Sequence, residues 1–268
     1  MKNKVVIITG ASSGIGRACA YEFASRRAKI VCASRNYEQL KIIEKDLKAK
    51  GSEAFAVQAD VSLEEDCKNL IAQTIEKYGK IDILINNAGI SMRALFKDVD
   101  LNVIRRLMDV NFWGAVYCTK YALPHILDSR GSIAGITSIA GFHGLPGRSG
   151  YSASKFALHG FLETLRIENL KNGLHVLIAA PGFTASNVRK SALSADGSPQ
   201  GQSPLNESKL MPAEKVARQI AKGIIFRKRN IIISFEGKLS VLLQRVIPKS
   251  LDRLFYNHMA KEPDSPFT

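Results

Sequence analysis

Cysteine and long apolar runs are scarce in this chain. It has four cysteines in 268 residues, and no two of them form a Cys-x-x-Cys pair. A chain of this length buries a full core without covalent cross-links, so we expect reduced, buried thiols and a cytoplasmic protein. No run of about 18 apolar residues occurs, which predicts that no helix spans a membrane. The amino terminus leads directly into a short apolar strand, and this pattern does not predict a signal peptide.

Acidic residues are few in comparison with basic ones. The sequence has 24 Asp and Glu against 38 Lys and Arg, which gives a formal charge of +14 at pH 7. An excess of positive charge favours the binding of nucleic acid, an acidic protein, anionic lipid or a phosphorylated cofactor. It also occurs on ordinary solvated surfaces. The basic residues are scattered and no nucleic-acid-binding signature occurs, so we predict no nucleic-acid partner. The histidines form no metal-spaced cluster, and we predict no metal site.

A glycine-rich turn follows the first apolar run. Residues 5–8 read as a central parallel strand, and an apolar-periodic helix begins near residue 15. Glycines between the two permit a tight turn and close approach of the backbone to a pyrophosphate at the helix N-terminus. The turn therefore predicts a dinucleotide site with the following residues: Gly10, Ser12, Ser13, Gly14, Ile15 and Gly16.

The end of the second predicted strand indicates which dinucleotide is bound. In dinucleotide-binding folds an acidic residue at this point binds the adenosine ribose, whereas an arginine accommodates a 2′-phosphate. This chain has Ser34 where the acid would stand, followed by Arg35. We therefore predict NADP(H) rather than NAD(H).

Tyr151 and Lys155 are four residues apart in a window of helical periodicity, which places them one turn apart on one helix face. A phenol beside an ammonium group is a usable acid/base pair, because a nearby cation lowers the pKa of the phenol. Ser138 ends a β-like run upstream, and its hydroxyl could hold a substrate oxygen near the phenol. By itself, however, Tyr-x-x-x-Lys arises often by chance and usually marks a half-buried aromatic and a solvated lysine.

Four motifs occur together, in a fitting order along the chain. They are the glycine turn, Asn-Asn-Ala-Gly at residues 86–89, the Tyr151/Lys155 pair and Pro-Gly at residues 181–182. From about residue 4 to about residue 235 the chain resembles the short-chain dehydrogenases/reductases. The resemblance implies an α/β fold, a single doubly wound Rossmann domain with a seven-stranded parallel sheet and helices on both faces. It also implies reversible hydride transfer between a nicotinamide and a carbonyl or secondary alcohol.

The resemblance also gives roles to individual side chains. Tyr151 is the acid in reduction and the base in oxidation, Lys155 lowers its pKa and binds the nicotinamide ribose, and Ser138 hydrogen-bonds the substrate oxygen. Asn111 kinks its helix and supports a proton relay through water. The remaining cofactor contacts that the resemblance implies are Asp60, Val61, Asn87, Ala88, Gly89, Pro181 and Gly182, with Thr184 and Ser186 as alternative partners of the carboxamide.

The loop between Ser138 and Tyr151 is expected to form one wall of the substrate site. Apolar residues there and nearby predict a hydrophobic substrate such as a lipid, a steroid or a similar ketone. We interpret the histidine of the loop as a specificity residue, because Tyr151 already supplies the acid/base group. The predicted pocket residues are Met92, Phe142, His143, Leu145 and Phe183. Residues 187–210, rich in Ser, Gly, Asn and Pro, are predicted to form a mobile lid.

Residues 236–268 form an amphipathic extension of the domain made by residues 1–235. Leucines alternate with lysine and arginine, and Pro248 interrupts the pattern, which predicts two short helices. The segment after Gly237 resembles the membrane-associated, member 7B-like branch of the family. We predict a cytoplasmic homodimer or homotetramer whose extension packs near the pocket. Peripheral membrane contact of the extension is the second interpretation.

Two other functions compete with this interpretation. A 3-oxoacyl-carrier-protein reductase would use the basic surface to dock an acidic carrier, although such chains generally end soon after the last strand. A non-catalytic dinucleotide-sensing protein would keep the fold without turnover. Loss of Tyr151 or Lys155 would favour the second alternative, and both residues are present.

Overall fold

A parallel sheet organises the computed structural model, which describes residues 1–186, 188–203, 206, 210–261 and 265–267. The strands run in the order β3-β2-β1-β4-β5-β6-β7, and every neighbouring pair is parallel. Their bounds are β1 (Val5–Thr9), β2 (Lys29–Ser34), β3 (Ala54–Gln58), β4 (Ile83–Asn86), β5 (Ser132–Ile136), β6 (His175–Ala180) and β7 (Asn230–Ile232). The predicted seven-stranded, doubly wound sheet is confirmed.

Helices cover both faces of the sheet because the central strands are apolar on both sides. In β1, Val6 and Ile8 enter the core beneath α1, α2 and α7, whereas Val5 and Ile7 enter the core beneath α3, α5 and α6. All four cysteines are free and buried, as the sequence predicts. The helices are α1 (Gly14–Ser25), α2 (Tyr37–Ala49), α3 (Glu64–Tyr78), α4 (Leu101–Met108), α5 (Gly114–Asp128), α6 (Ser149–Glu168), α7 (Ala213–Ile225), α8 (Phe235–Val246) and α9 (Pro248–Ala260).

The strand order reverses between β1 and β4, which opens a crevice at the carboxyl ends of these strands. Thr9 ends β1, and its Oγ1 accepts hydrogen bonds from the amides of Asn87 and Ala88 at 3.0 Å each. The Asn87 side chain returns a hydrogen bond of 2.9 Å to the carbonyl of Thr9. The glycine turn after β1 and the Asn-Ala-Gly segment after β4 are therefore held side by side.

The junction between α4 and α5 is a π-helical turn over Asp109–Trp113. The sequence predicts a helix that kinks at Asn111, and the structure places the irregularity there as one wider turn. Such turns are common at functional sites because they redirect one side chain inward. Here the Asn111 side chain is buried and reaches the segment that follows β4.

The predicted interruption at Pro248 is observed, and it separates α8 from α9. Leu251 and Met259 of α9 are buried, and the Phe255 ring stacks on His143 with 4.7 Å between ring centroids. The extension therefore returns to the loop that precedes Tyr151. No helix within the described ranges is long and apolar enough to cross a membrane.

The predicted lid is only partly described. The longest described stretch of it, residues 188–203, contains the buried Leu193, whose amide donates to the carbonyl of Ser91 at 2.9 Å. The carbonyl of Leu193 accepts from the amide of Arg93 at 2.9 Å. This portion is thus attached to the segment after β4. The lid positions that lie outside the described residues are 187, 204, 205 and 207–209.

Candidate active site

Ser138 and Tyr151 are brought together by the end of β5 and the first turn of α6. The Ser138 hydroxyl lies close enough to the phenol of Tyr151 to favour the ionised form of the phenol. Ser138 Oγ also accepts a hydrogen bond of 3.2 Å from the amide of Ala140, which fixes its orientation. Two hydroxyl groups held in this way can bind one substrate oxygen between them.

Lys155 lies one helical turn beyond Tyr151 and is buried, with 4% of its surface exposed. Its Nζ donates a hydrogen bond of 2.9 Å to the carbonyl of Ile136 and lies 5.8 Å from the centroid of the Tyr151 ring. Burial lowers the pKa of Lys155 to about 8. The carbonyl of Ile136 therefore anchors a desolvated ammonium group at the end of β5.

The pKa of Tyr151 differs from the sequence-based expectation, because burial raises it above its usual value. The nearby Ser138 hydroxyl and the charges of Arg148 and Arg189 oppose this effect without cancelling it. The phenol packs against the apolar cluster around Met92, which disfavours a phenolate. At neutral pH the side chain is therefore a neutral phenol that can donate a proton.

Asn111 braces the segment after β4 against α6. Its Oδ1 accepts from the amide of Ile90 at 2.8 Å, and its Nδ2 donates to the carbonyl of Ile90 and to Ser154 Oγ at 3.0 and 2.9 Å. Ser154 Oγ in turn donates to the carbonyl of Tyr151 at 2.8 Å. The carboxamide thus positions the start of α6, and the relay role of Asn111 stays a prediction.

The turn after β1 has the backbone of a phosphate cradle. Gly10 and Gly14 have φ of +64° and +52°, a region that favours glycine. A Cβ on Gly16 would overlap the carbonyl oxygen of Gly10, so only glycine allows this approach. Ser13 caps α1 with an extended backbone and is exposed, while Ser12 and Ile15 are half-buried beside it. The residues fit a pyrophosphate at the N-terminus of α1.

The adenosine end of the crevice carries Arg35. Its side chain is 61% exposed, and its Nη1 lies 3.8 Å from Asp60 Oδ2. An exposed pair at this distance holds the guanidinium only weakly. Asp60 is itself oriented by Ser62, whose amide and hydroxyl both donate to its Oδ1. Ser34 and Val61 are buried in this wall.

At the other end of the crevice, Gly89 faces the catalytic candidates. A Cβ on Gly89 would lie 3.2 Å from Asn111 Oδ1 and 3.4 Å from Lys155 Nζ, so a side chain there would crowd both groups. The Nζ of Lys155 consequently borders the crevice. It is placed to bind a hydroxyl group of a cofactor that lies along it.

The segment after Pro181 reaches across to the glycine turn. The hydroxyl of the buried Thr184 donates to the carbonyl of Gly182 at 3.0 Å. Ser186 lies next to Gly14, since a Cβ on that glycine would be 3.2 Å from the Ser186 Cβ. Ser186 therefore borders the glycine turn, and both Thr184 and Ser186 remain predicted partners of the carboxamide.

The predicted pocket residues fall into different environments. Met92 is fully buried in the cluster behind Tyr151, and Phe142 packs edge-on against His159 with 4.5 Å between centroids. Phe183 is half exposed. His143 and Leu145 line a cavity of about 630 Å³ between the loop and α9.

Sequence reasoning missed two buried arginines near the phenol, Arg148 and Arg189. Arg148 precedes the first turn of α6, where a cation opposes the helix dipole, and this conflict was a usable signal. Arg189 offered no local signal, because its nearness to Tyr151 depends on the fold. In the described part of the chain, no group of three His, Cys, Asp or Glu could hold a metal ion.

The structure combines a doubly wound parallel sheet, a glycine-rich turn where the strand order reverses, and a Ser-Tyr-Lys group beside that turn. Together these features define a nicotinamide-dinucleotide oxidoreductase. The chain belongs to the family described as short chain dehydrogenase, which matches residues 4–197. It is an oxidoreductase that acts on CH–OH groups.

Curated relatives cover nearly the whole chain. It is 37% identical over 270 residues to 11-beta-hydroxysteroid dehydrogenase from Pinus massoniana, which covers 96% of this chain and 76% of the relative. It is 32% identical over 271 residues to dehydrogenase/reductase SDR family member 7B from Mus musculus, with 99% and 84% covered. The predicted resemblance to the family and to its 7B-like branch is confirmed.

Solved structures share the fold. A short chain dehydrogenase/reductase from Burkholderia phymatum in complex with NAD superposes with a TM-score of 0.81 at 25% identity, covering 91% of this chain and 93% of that one. An alcohol dehydrogenase from Thermococcus sibiricus complexed with 5-hydroxy-NADP gives 0.77 at 22% identity, covering 86% and 96%. The first was solved with NAD and the second with an NADP derivative.

The buried ammonium of Lys155 predicts a pH-dependent stability. A lysine whose pKa falls to about 8 on folding destabilises the charged folded state by up to ~3 kcal/mol, at ~1.4 kcal/mol per pKa unit. This cost is fully present below pH 8. It disappears as the pH rises toward the unfolded pKa of about 10.4, because the unfolded chain then binds more protons than the folded one.

We therefore expect Lys155→Met to gain stability relative to the unsubstituted chain at pH 7 and to lose that relative gain by about pH 10. Urea denaturation across this range measures the difference. The exposed Lys120, changed to Met in the same way, should give a difference that does not vary with pH. A pH-independent difference for Lys155→Met would contradict the argument.

Proposed function

We propose that this protein is an NADP(H)-dependent oxidoreductase that interconverts a ketone and a secondary alcohol on a hydrophobic substrate, with Tyr151 as the general acid and base. The observation that carries the proposal is the placement of the Ser138 hydroxyl beside the phenol of Tyr151, with the buried Lys155 one turn away. A neutral phenol beside a second hydroxyl is suited to protonating a carbonyl oxygen as it is reduced.

The chain's own residues would bind and orient the cofactor. The pyrophosphate would lie on the glycine turn at the N-terminus of α1, and Arg35 would pair with a 2′-phosphate. Lys155 Nζ would donate to the nicotinamide ribose, next to Gly89 and Asn111. When bound, the nicotinamide supplies or accepts the hydride.

In the direction of reduction, Ser138 would hold the substrate oxygen and Tyr151 would give it a proton from the phenol. The charges of Arg148 and Arg189 favour the phenolate that is left, which lowers the cost of the transfer. In the direction of oxidation the same phenolate would take the proton back from the alcohol. Burial keeps competing water away from both steps.

A hydrophobic substrate is supported by the surroundings of the phenol. Tyr151 packs against an apolar cluster that includes Met92 and Leu193, and the neighbouring loop contributes Leu145 to a cavity. Relatives that cover nearly the whole chain are named hydroxysteroid dehydrogenases, which agrees with a large alicyclic substrate. We therefore propose a steroid, a lipid or a ketone of similar character.

We also propose a cytoplasmic homodimer or homotetramer formed through α5 and α6. Trp113, at the end of the π-helical turn before α5, and Phe156 on α6 are 43% and 46% exposed, and Trp113 stacks on Tyr117 of α5. Exposed aromatic side chains in a cluster are typical of the centre of a protein interface. This surface is separate from the extension and leaves α8 and α9 available for other contacts.

The exposed face of α8 supports peripheral contact with an anionic membrane. Phe235, Leu239, Leu242 and Val246 are all more than 40% exposed and are spaced so that they share one helix face. Exposed basic residues flank this face at 238 and 245. An apolar face edged with lysine and arginine is the pattern of a helix that lies on anionic lipid.

Tyr151→Phe tests the chemistry. It removes the transferable proton and leaves the ring, so turnover of a hydrophobic ketone should fall by roughly 10²–10⁴-fold. The fall is measured from NADPH absorbance, and the Kd for NADPH should stay nearly the same. Near-normal turnover by this variant would show that another group supplies the proton.

Arg35→Ala tests the cofactor. A hydrogen bond to a charged group contributes ~1.5–3 kcal/mol, so the preference for NADPH over NADH should shrink by about 10–150-fold. Calorimetric Kd values for both cofactors measure it, and Lys45→Ala, at an exposed position on α2, serves as the control. Equal Kd values for the two cofactors in the unsubstituted protein would rule out the predicted preference.

Leu242→Asp tests the membrane contact. It places a charge in the middle of the apolar face of α8, so co-sedimentation with anionic vesicles should be lost. Ile167→Asp changes an equally exposed residue on α6 and should leave vesicle binding intact. Binding should also weaken as salt rises. If the unsubstituted chain fails to bind at low salt, α8 does not contact lipid.

A further inference from the structure

A small cleft of about 200 Å³ opens at the amino ends of β6 and β7, on the opposite edge of the sheet from the cofactor crevice. β6 runs from His175 at the cleft to Ala180 at the carboxyl edge of the sheet, a length of about 16 Å at ~3.3 Å per residue. The phosphates of a cofactor bound on the glycine turn therefore do not reach it. The residues that line this arginine cleft are Arg166, Leu170, Leu174, His175, Val176, Arg227 and Arg229.

The lining of the arginine cleft includes three arginines and no acidic residue. Within the described part of the chain, none of the three arginines forms an ion pair with a carboxylate. The acidic residues at the end of α6 are Glu163, which lies 3.5 Å from His159 Nε2, and the exposed Glu168. Burial and the charge of Arg229 lower the pKa of Arg166, and Glu163 only partly opposes them. The cleft thus concentrates positive charge that the surrounding side chains do not neutralise.

Arg166 forms the base of the arginine cleft and is held in a fixed position. It is 7% exposed, and its Nε donates to the carbonyl of Val176 at 3.3 Å. Its Nη2 donates to the carbonyl of Arg229 at 3.2 Å and to Asn230 Oδ1 at 3.0 Å. Its Nη1 has no hydrogen-bond partner among the described residues. Two N–H groups of a rigid guanidinium are therefore available to a ligand in the cleft.

Arg227 stands at the mouth of the cleft in a backbone conformation that favours glycine. Its φ is +48°, and it follows the last turn of α7, where glycine is the usual residue. The amides of Arg227 and Lys228 donate to the carbonyls of Ile224 and Gly223, which ends the helix. The side chain reaches back, and its Nη2 donates to the carbonyl of Gly173 at 2.6 Å. An arginine held against its backbone preference thus places a guanidinium at the mouth.

His175 positions this segment without adding charge. Its Nε2 lies 2.9 Å from the carbonyl of Lys228, so Nε2 carries the proton, and its Nδ1 accepts from Ser132 Oγ at 3.0 Å. Burial lowers the pKa of His175 although the Lys228 carbonyl opposes the effect, so the ring is neutral at neutral pH. The imidazole therefore fixes the segment that carries Arg227 and Arg229.

We propose that the arginine cleft binds a phosphate group, either as free phosphate or as the monoester of a small soluble molecule. The oxygens of a phosphate match the planar fork of an arginine. The group would accept hydrogen bonds from Arg166 Nη1 at the base and from Arg227 and Arg229 at the mouth. It would also relieve the repulsion between the charges of Arg166 and Arg229. The site is independent of the proposed reaction.

Calorimetric titration of the NADPH-saturated chain with inorganic phosphate tests the proposal, at about pH 8, where phosphate is a dianion. NADPH occupies the glycine turn, so phosphate does not titrate the cofactor site. Arg229→Gln should weaken the Kd by at least about tenfold, the loss expected for one hydrogen bond between charged groups. Arg218→Gln removes the same charge from an exposed position on α7 and should leave the Kd nearly unchanged.

Glycerol 3-phosphate, titrated in the same way, distinguishes the two sources of the phosphate group. A monoester that packs its organic part on Leu170 should bind more tightly than inorganic phosphate. If the natural ligand is free phosphate, the ester should bind no more tightly. Acetate at the same ionic strength should bind at least about tenfold more weakly, because it carries one charge fewer.

Urea denaturation separates ligand binding from a structural role of Arg229. In chloride without phosphate, Arg229→Gln should be at least as stable as the unsubstituted chain, because it removes the repulsion with Arg166. Phosphate should raise the urea midpoint of the unsubstituted chain and of Arg218→Gln, but not that of Arg229→Gln.

Three results would overturn the proposal. The first is that the NADPH-saturated chain does not bind phosphate, or that it binds acetate equally well. The second is that Arg229→Gln binds phosphate as tightly as the unsubstituted chain does. The third is that Arg229→Gln loses stability in chloride and still gains the full stabilisation by phosphate, which would assign Arg229 to the fold.

Discussion

The hydrogen bonds between Thr9 and Asn87 are the constraint on which the rest of the site depends. They join the ends of β1 and β4 at the place where the strand order reverses. The same Asn87 side chain also donates to the carbonyl of Gly10 at 3.3 Å, so it fixes the glycine turn itself. One residue thus sets the distance between the phosphate cradle and the segment that leads to Gly89 and Asn111. A cofactor bound to the cradle would thereby extend toward Gly89 and Lys155.

Burial determines the electrostatics of the catalytic candidates more than pairwise attraction does. Burial raises the pKa of Tyr151 and lowers that of Lys155. At neutral pH the phenol is therefore protonated, and the amine gives up its proton more easily than that of an exposed lysine. The nearby cations act against the effect of burial on the phenol without reversing it. This balance favours a group that gives up a proton only when negative charge on the substrate oxygen develops beside it. Arg148 and Arg189 therefore support the transfer without ionising the resting phenol.

The sequence predicted the parts of the structure that have local signals. The glycine turn, the Tyr151/Lys155 spacing and the break at Pro248 each depend on neighbouring residues, and the fold places all three as expected. The direction of the Tyr151 pKa was predicted wrongly because it depends on packing against residues from other parts of the chain. A kink at Asn111 was expected from the family resemblance, and the extension was expected to pack near the pocket, but the π-helical form of the turn and the contact of α9 with His143 had no local signal. Each arises from tertiary packing, which overrides local periodicity.

The contact between His143 and Phe255 joins two parts of the fold that are held in different ways. The reacting groups stand on β5 and α6, which are fixed by the sheet, whereas the far wall of the cavity stands on α9, at the edge of the fold. Changes in α9 can alter the shape and polarity of the cavity without moving Ser138, Tyr151 or Lys155. The stacked ring of Phe255 and the nearby Asp252 carboxylate link α9 to His143, so the far wall can vary while the acid/base geometry is kept.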